Sequence, residues 1–366
     1  MPEEAVGQQR RAEGQVELQR DGHGGTVPDT RPPEAGPYAP RMRIVIPGGT
    51  GQVGGVLRRA LAARGDEVTV LSRRPQRLED GVRHVVWDGR TPGPWGAEVD
   101  GADAVVNLAG RTVSCRYTDA NLRQMMDSRV DSTRAVGAAI ARAARPPRVW
   151  LQMSTATIYA DARSRGDDLP HDEANGVLGG EEPGVPLYWE YSVRIARRWE
   201  RAQAEADVPT TRRVALRTAM VMTPDRGGVF DYLSGMARLG LGGPVAGGGQ
   251  HVSWIHGEDF VRVVEFLLER DDLDGPFIVA APDPVPQREL MRSLRRAWGR
   301  RLGLPATRLM AEVGAFALRT DTELLLKSRR VVPGRLLEAG FAFAHPTWAE
   351  AAVDLAAQAR RLRQRA

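Results

Sequence analysis

A glycine-rich turn after residue 46 constrains the fold of this chain more than any other feature of its sequence. The β-branched run Ile44–Ile46 leads into the glycines of residues 48–51, and an apolar period predicts a helix over Val53–Arg64. Glycine permits a sharp turn, lets the backbone approach a pyrophosphate and, at Gly54, lets the helix pack closely on the strand. The order of strand, turn and helix predicts a dinucleotide phosphate site on the helix N-terminus, where free N–H groups favour an anion. A tight structural turn is the alternative.

The end of the second predicted strand, Glu67–Ser72, indicates which nucleotide is bound. An NAD site would place an acidic residue there, about 20 residues after the glycines, to hold the ribose 2′-hydroxyl. This chain has Arg73 and Arg74 instead, and a guanidinium fork suits a 2′-phosphate. We therefore predict NADP as the cofactor. A solvated basic loop, which would also include Arg77, is the alternative.

Composition excludes several classes of protein. Of the 366 residues, 42% are hydrophobic and 27% charged, which is ordinary for a soluble globular protein. No uncharged apolar run reaches the roughly 18 residues of a membrane span. Cys115 is the only cysteine, so no internal disulfide can form and we expect a cytoplasmic protein. The net charge of +5 comes from basic residues interspersed with acids, so we expect neither nucleic acid nor membrane as a partner.

The chain divides into four segments. Residues 1–41 contain one leucine and no isoleucine, phenylalanine or tryptophan, which predicts a disordered extension. From Arg43 strands and helices alternate, which predicts an α/β fold with a Rossmann-type, doubly wound parallel sheet. We expect an NADP-binding domain at 42–226, a smaller substrate-side region at 227–303 and a C-terminal module at 304–366.

Individual elements follow from periodicity. Strands are predicted at Arg43–Ile46, Glu67–Ser72, Arg83–Trp87, Ala104–Leu108, Arg148–Met153, Arg213–Arg217 and Gly340–Phe343. Helices are predicted at Val53–Arg64, Asn121–Ala144, Tyr188–Ala206, Glu258–Glu269 and Gln287–Arg300. The glycine-rich stretch 239–249 follows no strand and precedes no P-loop lysine, so we interpret it as a loop and not as a second phosphate site.

Further motifs follow in a familiar order. Asn107–Gly110 (NLAG) ends the fourth predicted strand, and Met153–Asp161 (MSTATIYAD) ends the fifth. The chain therefore resembles the extended or atypical short-chain dehydrogenase/reductase superfamily. More narrowly, it resembles the NAD-dependent epimerase/dehydratase-like family that has a C-terminal domain of unknown function. Three stretches carry the narrower resemblance: Ser128–Thr133, Gly240–Asp259 and Ser328–Phe343.

The resemblance implies roles for individual residues. Pyrophosphate would be bound by Gly48, Gly51 and Gly54, with backbone contacts from Thr50, Gln52 and Val53. Arg73 would take the 2′-phosphate, Asp88 would lie by the adenine, and Leu108, Ala109 and Gly110 would line the cofactor. Thr155 would hydrogen-bond the reacting oxygen, and Trp254 and His256 would lie in a substrate-side loop. For Asp88 a turn cap is the alternative.

The chain departs from the superfamily at its acid/base pair, a tyrosine and a lysine one helical turn apart. Lys327 is the only lysine, and Glu323 lies four positions before it, so the pair cannot exist. Counting back from Glu200, its two positions hold Ala196 and Ser192.

Two other residues are therefore candidate acids. Tyr191 is one, because Arg194 would stabilise its charged form, and His256 is the other. A packing tyrosine and a structural histidine are the alternatives, and we expect Tyr159 to be structural. No metal-ligand spacing is evident.

These observations predict an NADP-dependent oxidoreductase or epimerase-like enzyme that acts on a small carbonyl or hydroxyl substrate. A nucleotide sugar is a substrate that the resemblance alone suggests, and a homodimer is compatible with the sequence. The alternative is a non-catalytic, redox-responsive regulator that binds NADP(H). The absent tyrosine–lysine pair favours the regulator, whereas the retained Thr155 and the Trp254–His256 loop favour the enzyme.

Overall fold

A parallel sheet of seven strands lies at the centre of the protein, in a computed structural model that describes residues 41–366. Within this range residues 79–80, 165, 167–168, 183–184, 308–322 and 366 are not described. The predicted extension 1–41 lies outside the described residues except for Arg41.

The strands follow one another as β1 (Arg43–Pro47), β2 (Glu67–Ser72), β3 (Arg83–Val86), β4 (Ala104–Asn107), β5 (Val149–Thr155), β6 (Arg212–Thr218), β7 (Met220–Met222), β8 (His251–Val252), β9 (Trp254–His256), β10 (Gly275–Val279) and β11 (Val285–Pro286). The main described helices are α1 (Gln52–Arg64), α2 (Asp119–Arg142), α3 (Leu187–Ala204), α4 (Val229–Arg238), α5 (Gly257–Glu269), α6 (Gln287–Ala297), α7 (Glu323–Leu326), α8 (Gly334–Glu338) and α9 (Trp348–Arg365).

The strand order across the sheet is β3-β2-β1-β4-β5-β6-β10, and every neighbouring pair is parallel. Strands β2 and β3 lie on one side of β1, and β4, β5 and β6 lie on the other, so the order in which strands are added reverses between β1 and β4. In such sheets ligands bind in the crevice at the carboxyl ends of the strands at this switch point. The predicted α/β, doubly wound Rossmann-type sheet is therefore confirmed.

Alternating side chains of β1 show why helices cover both faces. Ile44 and Ile46 pack in a core with Leu57 of α1 and Leu267 of α5, whereas Val45 points to the opposite core, together with residues of α2. Side chains alternate across a strand, so a strand that is buried on both faces has an almost continuous apolar sequence. The run of residues 44–46 thus fits a central strand.

A further core lies beside the sheet. It is built from α4, α6 and α9 with the β9 residue Trp254. The rings of Trp254 and Trp348 meet edge-to-face with their centroids 5.0 Å apart. Among the described residues no helix is both long and apolar enough to cross a membrane.

Several described elements were not predicted, among them α4, β9 and β10. Strand β10 lies in the segment 227–303, which we expected to form the substrate-side region, yet it belongs to the central sheet. It pairs with β6 at the sheet edge, where Pro276 is tolerated. The predicted strand Gly340–Phe343 is wrong. Gly340, at φ +82°, ends α8, and Phe341 and Phe343 pack edge-to-face 4.8 Å apart.

Candidate active site

The turn between β1 and α1 is packed too closely for any residue but glycine at two positions. Gly48 has φ +80°, and a Cβ there would lie 2.7 Å from the amide nitrogen of Ala109. A Cβ at Gly54 would lie 2.6 Å from Cα of Gly49. The end of β1, the start of α1 and the loop after β4 are thus held against one another, as a pyrophosphate cradle requires.

The N-terminus of α1 fits an anion. Gly51 precedes the helix without a side-chain cap, and the first turn has no acidic residue. Gln52 points away, since its Nε2 donates to Oγ1 of Thr223 over 3.1 Å. Thr50 is half-buried in the turn, and Val53 packs against the core. The backbone N–H groups and the helix dipole therefore suit a phosphate.

Arg73 and Asp88 lie near each other beyond β2 and β3. The exposed Arg73 side chain passes Gly89, where a Cβ would be 3.8 Å from its Cδ. No described carboxylate pairs with it, so its guanidinium is available to a 2′-phosphate. Asp88 accepts backbone N–H bonds from Arg90 and Thr91, both 2.9 Å. Burial raises the pKa of Asp88, but the bonds from Thr91 and Arg90 outweigh it, and the net pKa is lowered.

These bonds make Asp88 a turn cap, which was the alternative stated for it. Its contact with an adenine stays a prediction.

The loop after β4 is held at the switch point. Leu108 N donates to Pro47 O over 2.8 Å. Asn107 accepts from the Ala109 amide over 3.1 Å and donates to Oε1 of Gln152 over 2.9 Å. The predicted cofactor-lining residues 108–110 therefore stand beside the glycine turn, and buried side-chain hydrogen bonds fix their backbone.

Thr155 is the last residue of β5 and is half-buried. Its Oγ1 accepts the amide N–H of Thr157 over 3.2 Å and so caps a short 3₁₀ turn, Ala156–Ile158. A hydroxyl that accepts one bond can still donate its own proton to a substrate oxygen. The carboxyl end of a central strand is also where ligands bind in this fold.

Tyr191 lies on a different face of α3 from Ser192. Its ring packs with Cys115 and Tyr117 against side chains of α2, and the guanidinium of Arg194 lies 4.7 Å from the ring centre. Successive helix residues are rotated by about 100°. The contacts of the described residues do not bring Tyr191 to Thr155, so its role as an acid stays a prediction that packing does not favour.

Trp254 and His256 are both buried in structural contacts. Trp254 Nε1 donates to Asp283 O over 2.8 Å. His256 Nδ1 accepts the amide N–H of Glu258, capping α5, and its Nε2 lies 3.1 Å from Oδ2 of Asp354. Burial, followed by the nearby His345, lowers the pKa of His256. The geometry favours a structural histidine, and the expected substrate contacts of both residues stay predictions.

One set of side chains in this region could be mistaken for a metal site. His256, Glu258 and His345 bring their ligand atoms within 4.8 Å of one another. Because Nδ1 of His256 accepts an N–H, its Nε2 carries the ring proton and donates to Asp354. A metal ion would have to displace that proton, so the hydrogen-bonded arrangement accounts for the cluster.

A buried ionic cluster, which sequence reasoning missed, lies against the turn after β5. Lys327 is 2% exposed, and its Nζ donates to Thr157 O over 3.0 Å. Glu323 is 1% exposed, and its Oε2 accepts the hydroxyl of Ser192 over 2.6 Å. Arg329 donates from Nε to Oγ1 of Thr157 over 3.2 Å. The available signal was the chain's single lysine.

The surroundings of Lys327 shift its pKa. Burial, and then the neighbouring Arg329, lower the pKa of the Lys327 ammonium to about 8. Glu323, Glu182 and Asp161 act in the opposite direction. The amine can therefore gain and lose a proton near neutral pH, which an ordinary lysine does not do.

Tyr159 behaves as the structural residue that we expected. Its hydroxyl accepts from Arg217 over 2.8 Å, and Arg217 also binds both carboxylate oxygens of Glu200 at 2.9 Å. Ser154 donates to the same Glu200 over 2.6 Å. Burial raises the pKa of Tyr159, so the phenol remains protonated and joins β5, β6 and α3.

Comparisons with known proteins agree with this architecture. The NAD dependent epimerase/dehydratase family model matches residues 44–280. The chain belongs to this family. A second model, described as a domain of unknown function (DUF1731), matches residues 310–355.

Three relatives illustrate the similarity. The epimerase family protein SDR39U1 of Bos taurus is 31% identical over 309 residues, 83% of this chain and 96% of the relative. The epimerase family protein ML0860 of Mycobacterium leprae is 30% identical over 84% of this chain and 94% of its own. A crystal structure of human epimerase family protein SDR39U1 (isoform2) with NADPH has a TM-score of 0.73 and 28% identity, covering 86% of this chain and 99% of that one.

The C-terminal match contributes directly to the site. Residues 310–355 include Glu323, Lys327 and Arg329, which are the three residues of the cluster that contact Ser192 and Thr157. Side chains of this C-terminal segment therefore contact the turn that follows β5.

Proposed function

We propose that the chain is an NADP(H)-dependent oxidoreductase or epimerase-like enzyme acting on a small carbonyl or hydroxyl substrate. The observation that carries this proposal is the cradle itself: Gly48 and Gly54 leave no room for a Cβ, and α1 begins without an acidic or capping side chain. The family description supports a nicotinamide nucleotide, and the NADPH in the human relative's structure supports NADP.

Each part of the site would have a separate task. The N-terminus of α1 binds the pyrophosphate, and Arg73 binds the 2′-phosphate. When bound, the nicotinamide supplies or takes a hydride. Thr155 donates a hydrogen bond to the substrate oxygen and so stabilises the charge that develops on it.

The regulator remains a second candidate because of one observation. The positions of the superfamily's tyrosine and lysine hold Ser192 and Ala196, and Ala196 is fully buried in a core with Ala156 and Ile158 of the turn after β5. A protein that binds NADP(H) without catalysis would tolerate this loss. Hydride transfer therefore has to be shown directly.

We expect NADPH to bind at least tenfold more tightly than NADH, a difference of about 1.4 kcal/mol. The reason is that the guanidinium of Arg73, which pairs with no described carboxylate, can form charge-assisted bonds with the 2′-phosphate, which NADH lacks. Calorimetric titration of both cofactors measures this preference. Arg73→Ala should abolish the preference, whereas Arg77→Ala, the same charge change on an exposed residue of the same loop, should preserve most of it. Equal affinities in the wild type would refute the NADP assignment.

Catalysis is tested by hydride transfer. Stereospecific transfer from labelled NADPH across a library of small carbonyl compounds would support the enzyme. Turnover of none of them, together with protease-protection patterns that differ between NADP and NADPH, would favour the regulator. Both experiments use the full chain.

A further inference from the structure

Reduction of a carbonyl needs a proton as well as a hydride. The carbon receives the hydride with its two electrons, and the oxygen then takes one proton from the protein or from water. Thr155 can donate a hydrogen bond, but a threonine hydroxyl is a poor proton source. The two acids expected from sequence, Tyr191 and His256, lie in packing and helix-cap contacts. A protein source of the proton therefore has to be sought in another group.

The buried cluster provides a suitable group close to Thr155. Lys327 Nζ binds the carbonyl oxygen of Thr157, and the amide of the same Thr157 binds Oγ1 of Thr155. The ammonium and the substrate-binding hydroxyl are thus attached to one short turn. The contact joins residues 170 positions apart in the sequence, so it depends on how the C-terminal segment packs.

Ser192 connects this cluster to the expected substrate side. It occupies the position of the superfamily's tyrosine, and its hydroxyl donates to Glu323 over 2.6 Å. Glu323 and Lys327 lie four residues apart, and the amide of Lys327 donates to the carbonyl of Glu323 over 3.1 Å. Residues with this spacing share one face of a helical turn. The Ser192 hydroxyl is thus hydrogen-bonded to the Glu323 carboxylate, and that carboxylate interacts electrostatically with the Lys327 ammonium.

We propose that Ser192, Glu323 and Lys327 form a proton relay that replaces the tyrosine–lysine pair. The proposal rests on the proposed function. In oxidation, the substrate hydroxyl gives its proton to Ser192, Ser192 gives its own to the Glu323 carboxylate, and Glu323 passes one to the neutral Lys327 amine. The substrate carbon loses a hydride to the oxidised nicotinamide, so the substrate loses two electrons and the nicotinamide gains them. Reduction reverses each transfer. In this relay Ser192 contacts the substrate, and Glu323 and Lys327 act through Ser192.

The charges around Lys327 set the direction of the pH dependence. Arg329 favours the neutral amine, whereas Glu323, Glu182 and Asp161 favour the ammonium. Reduction requires the ammonium, so its rate should fall as the pH rises through about 8. Oxidation requires the amine, so its rate should rise over the same range.

One lysine in the whole chain permits a direct measurement. Biosynthetic labelling with ¹³C-lysine produces a single Cε signal from the full chain, and its chemical shift reports the protonation of Lys327. We expect a pKa near 8, and we expect the signal to move when NADP is added. The control is Arg361→Lys, which adds an exposed lysine with an ordinary pKa and no response to NADP.

Turnover measurements on variants distinguish a proton relay from a lysine with a purely structural role. Lys327→Met should lower turnover at least tenfold and remove the inflection near pH 8, while the affinity for NADPH stays unchanged. The variant takes the ammonium away from Glu323, Glu182 and Asp161 and leaves the Thr157 carbonyl without this donor, so its melting temperature should fall, and the unchanged NADPH affinity shows that it is folded. Glu323→Gln and Ser192→Ala should lower turnover in the same way.

Different outcomes refute different statements. A Lys327 signal with an ordinary pKa, or one that ignores NADP in a protein that binds it, overturns the relay. Full turnover by Lys327→Met also overturns the relay, while the proposed oxidoreductase stands. A wild-type protein that reduces no carbonyl refutes the proposed enzyme and, with it, the relay.

Discussion

Replacing Thr155 by valine is expected to lower turnover by about 10²–10³ while the affinity for NADPH stays unchanged. Valine has nearly the same shape but cannot donate a hydrogen bond to the substrate oxygen, and one positioned donor is typically worth this factor. Steady-state kinetics of hydride transfer and calorimetry of NADPH binding measure the two effects separately.

The control for this variant is Thr155→Ser. Thr155 also caps the turn at Ala156–Ile158, and loss of a capping hydroxyl costs about 1 kcal/mol of stability. Serine retains both the hydroxyl and the cap, so it should retain most of the turnover. Equal losses in the valine and serine variants, or no loss in the valine variant, would contradict a role for this hydroxyl.

Gly54→Ala is expected to reduce the free energy of unfolding by about 3 kcal/mol, the upper end of the usual cost of overpacking. The added Cβ would lie 2.6 Å from Cα of Gly49 and 2.7 Å from its carbonyl carbon. These are backbone atoms, which cannot rotate away as the end of a side chain can. Moving them also displaces the phosphate cradle, so NADPH affinity should fall at least tenfold. Denaturant titration and calorimetry measure the two effects.

The neighbouring glycine of the same helix provides a matched control. A Cβ at Gly55 would meet Nη1 of the flexible Arg59 at 3.3 Å. Alanine favours a helix over glycine by about 1 kcal/mol, so Gly55→Ala should be neutral or slightly stabilising. Similar destabilisation by both substitutions would show that the close contact at Gly54 is not the cause.

Local sequence patterns predicted the sheet well because they report local physics. An apolar run such as Ile44–Ile46 needs burial on both faces, and only a central strand between helices supplies this. The edge strand β10 was missed for the complementary reason. It begins with Gly275 and Pro276, and pairing with β6 at the sheet edge, which no short window reveals, makes it a strand.

The geometry of the glycine turn was also predictable in outline. Its glycines lie within a few residues of one another, so their spacing specifies a turn and a helix start directly. Asp88 shows where this reasoning stops. The sequence left open a turn cap or an adenine contact, and the structure shows the bonds to Arg90 and Thr91 that make it a cap.

By itself, the sequence determined that a glycine turn follows β1 and that a tyrosine–lysine pair cannot exist, since both depend on residue identity and short spacing. The contacts that the His256 and Lys327 side chains make were decided by tertiary structure alone. Asp354 of α9 engages Nε2 of His256 while Nδ1 caps α5, and packing of the C-terminal segment brings Lys327 to Thr157. Backbone propensity acts over a few residues, whereas contacts between distant side chains depend on how whole elements pack.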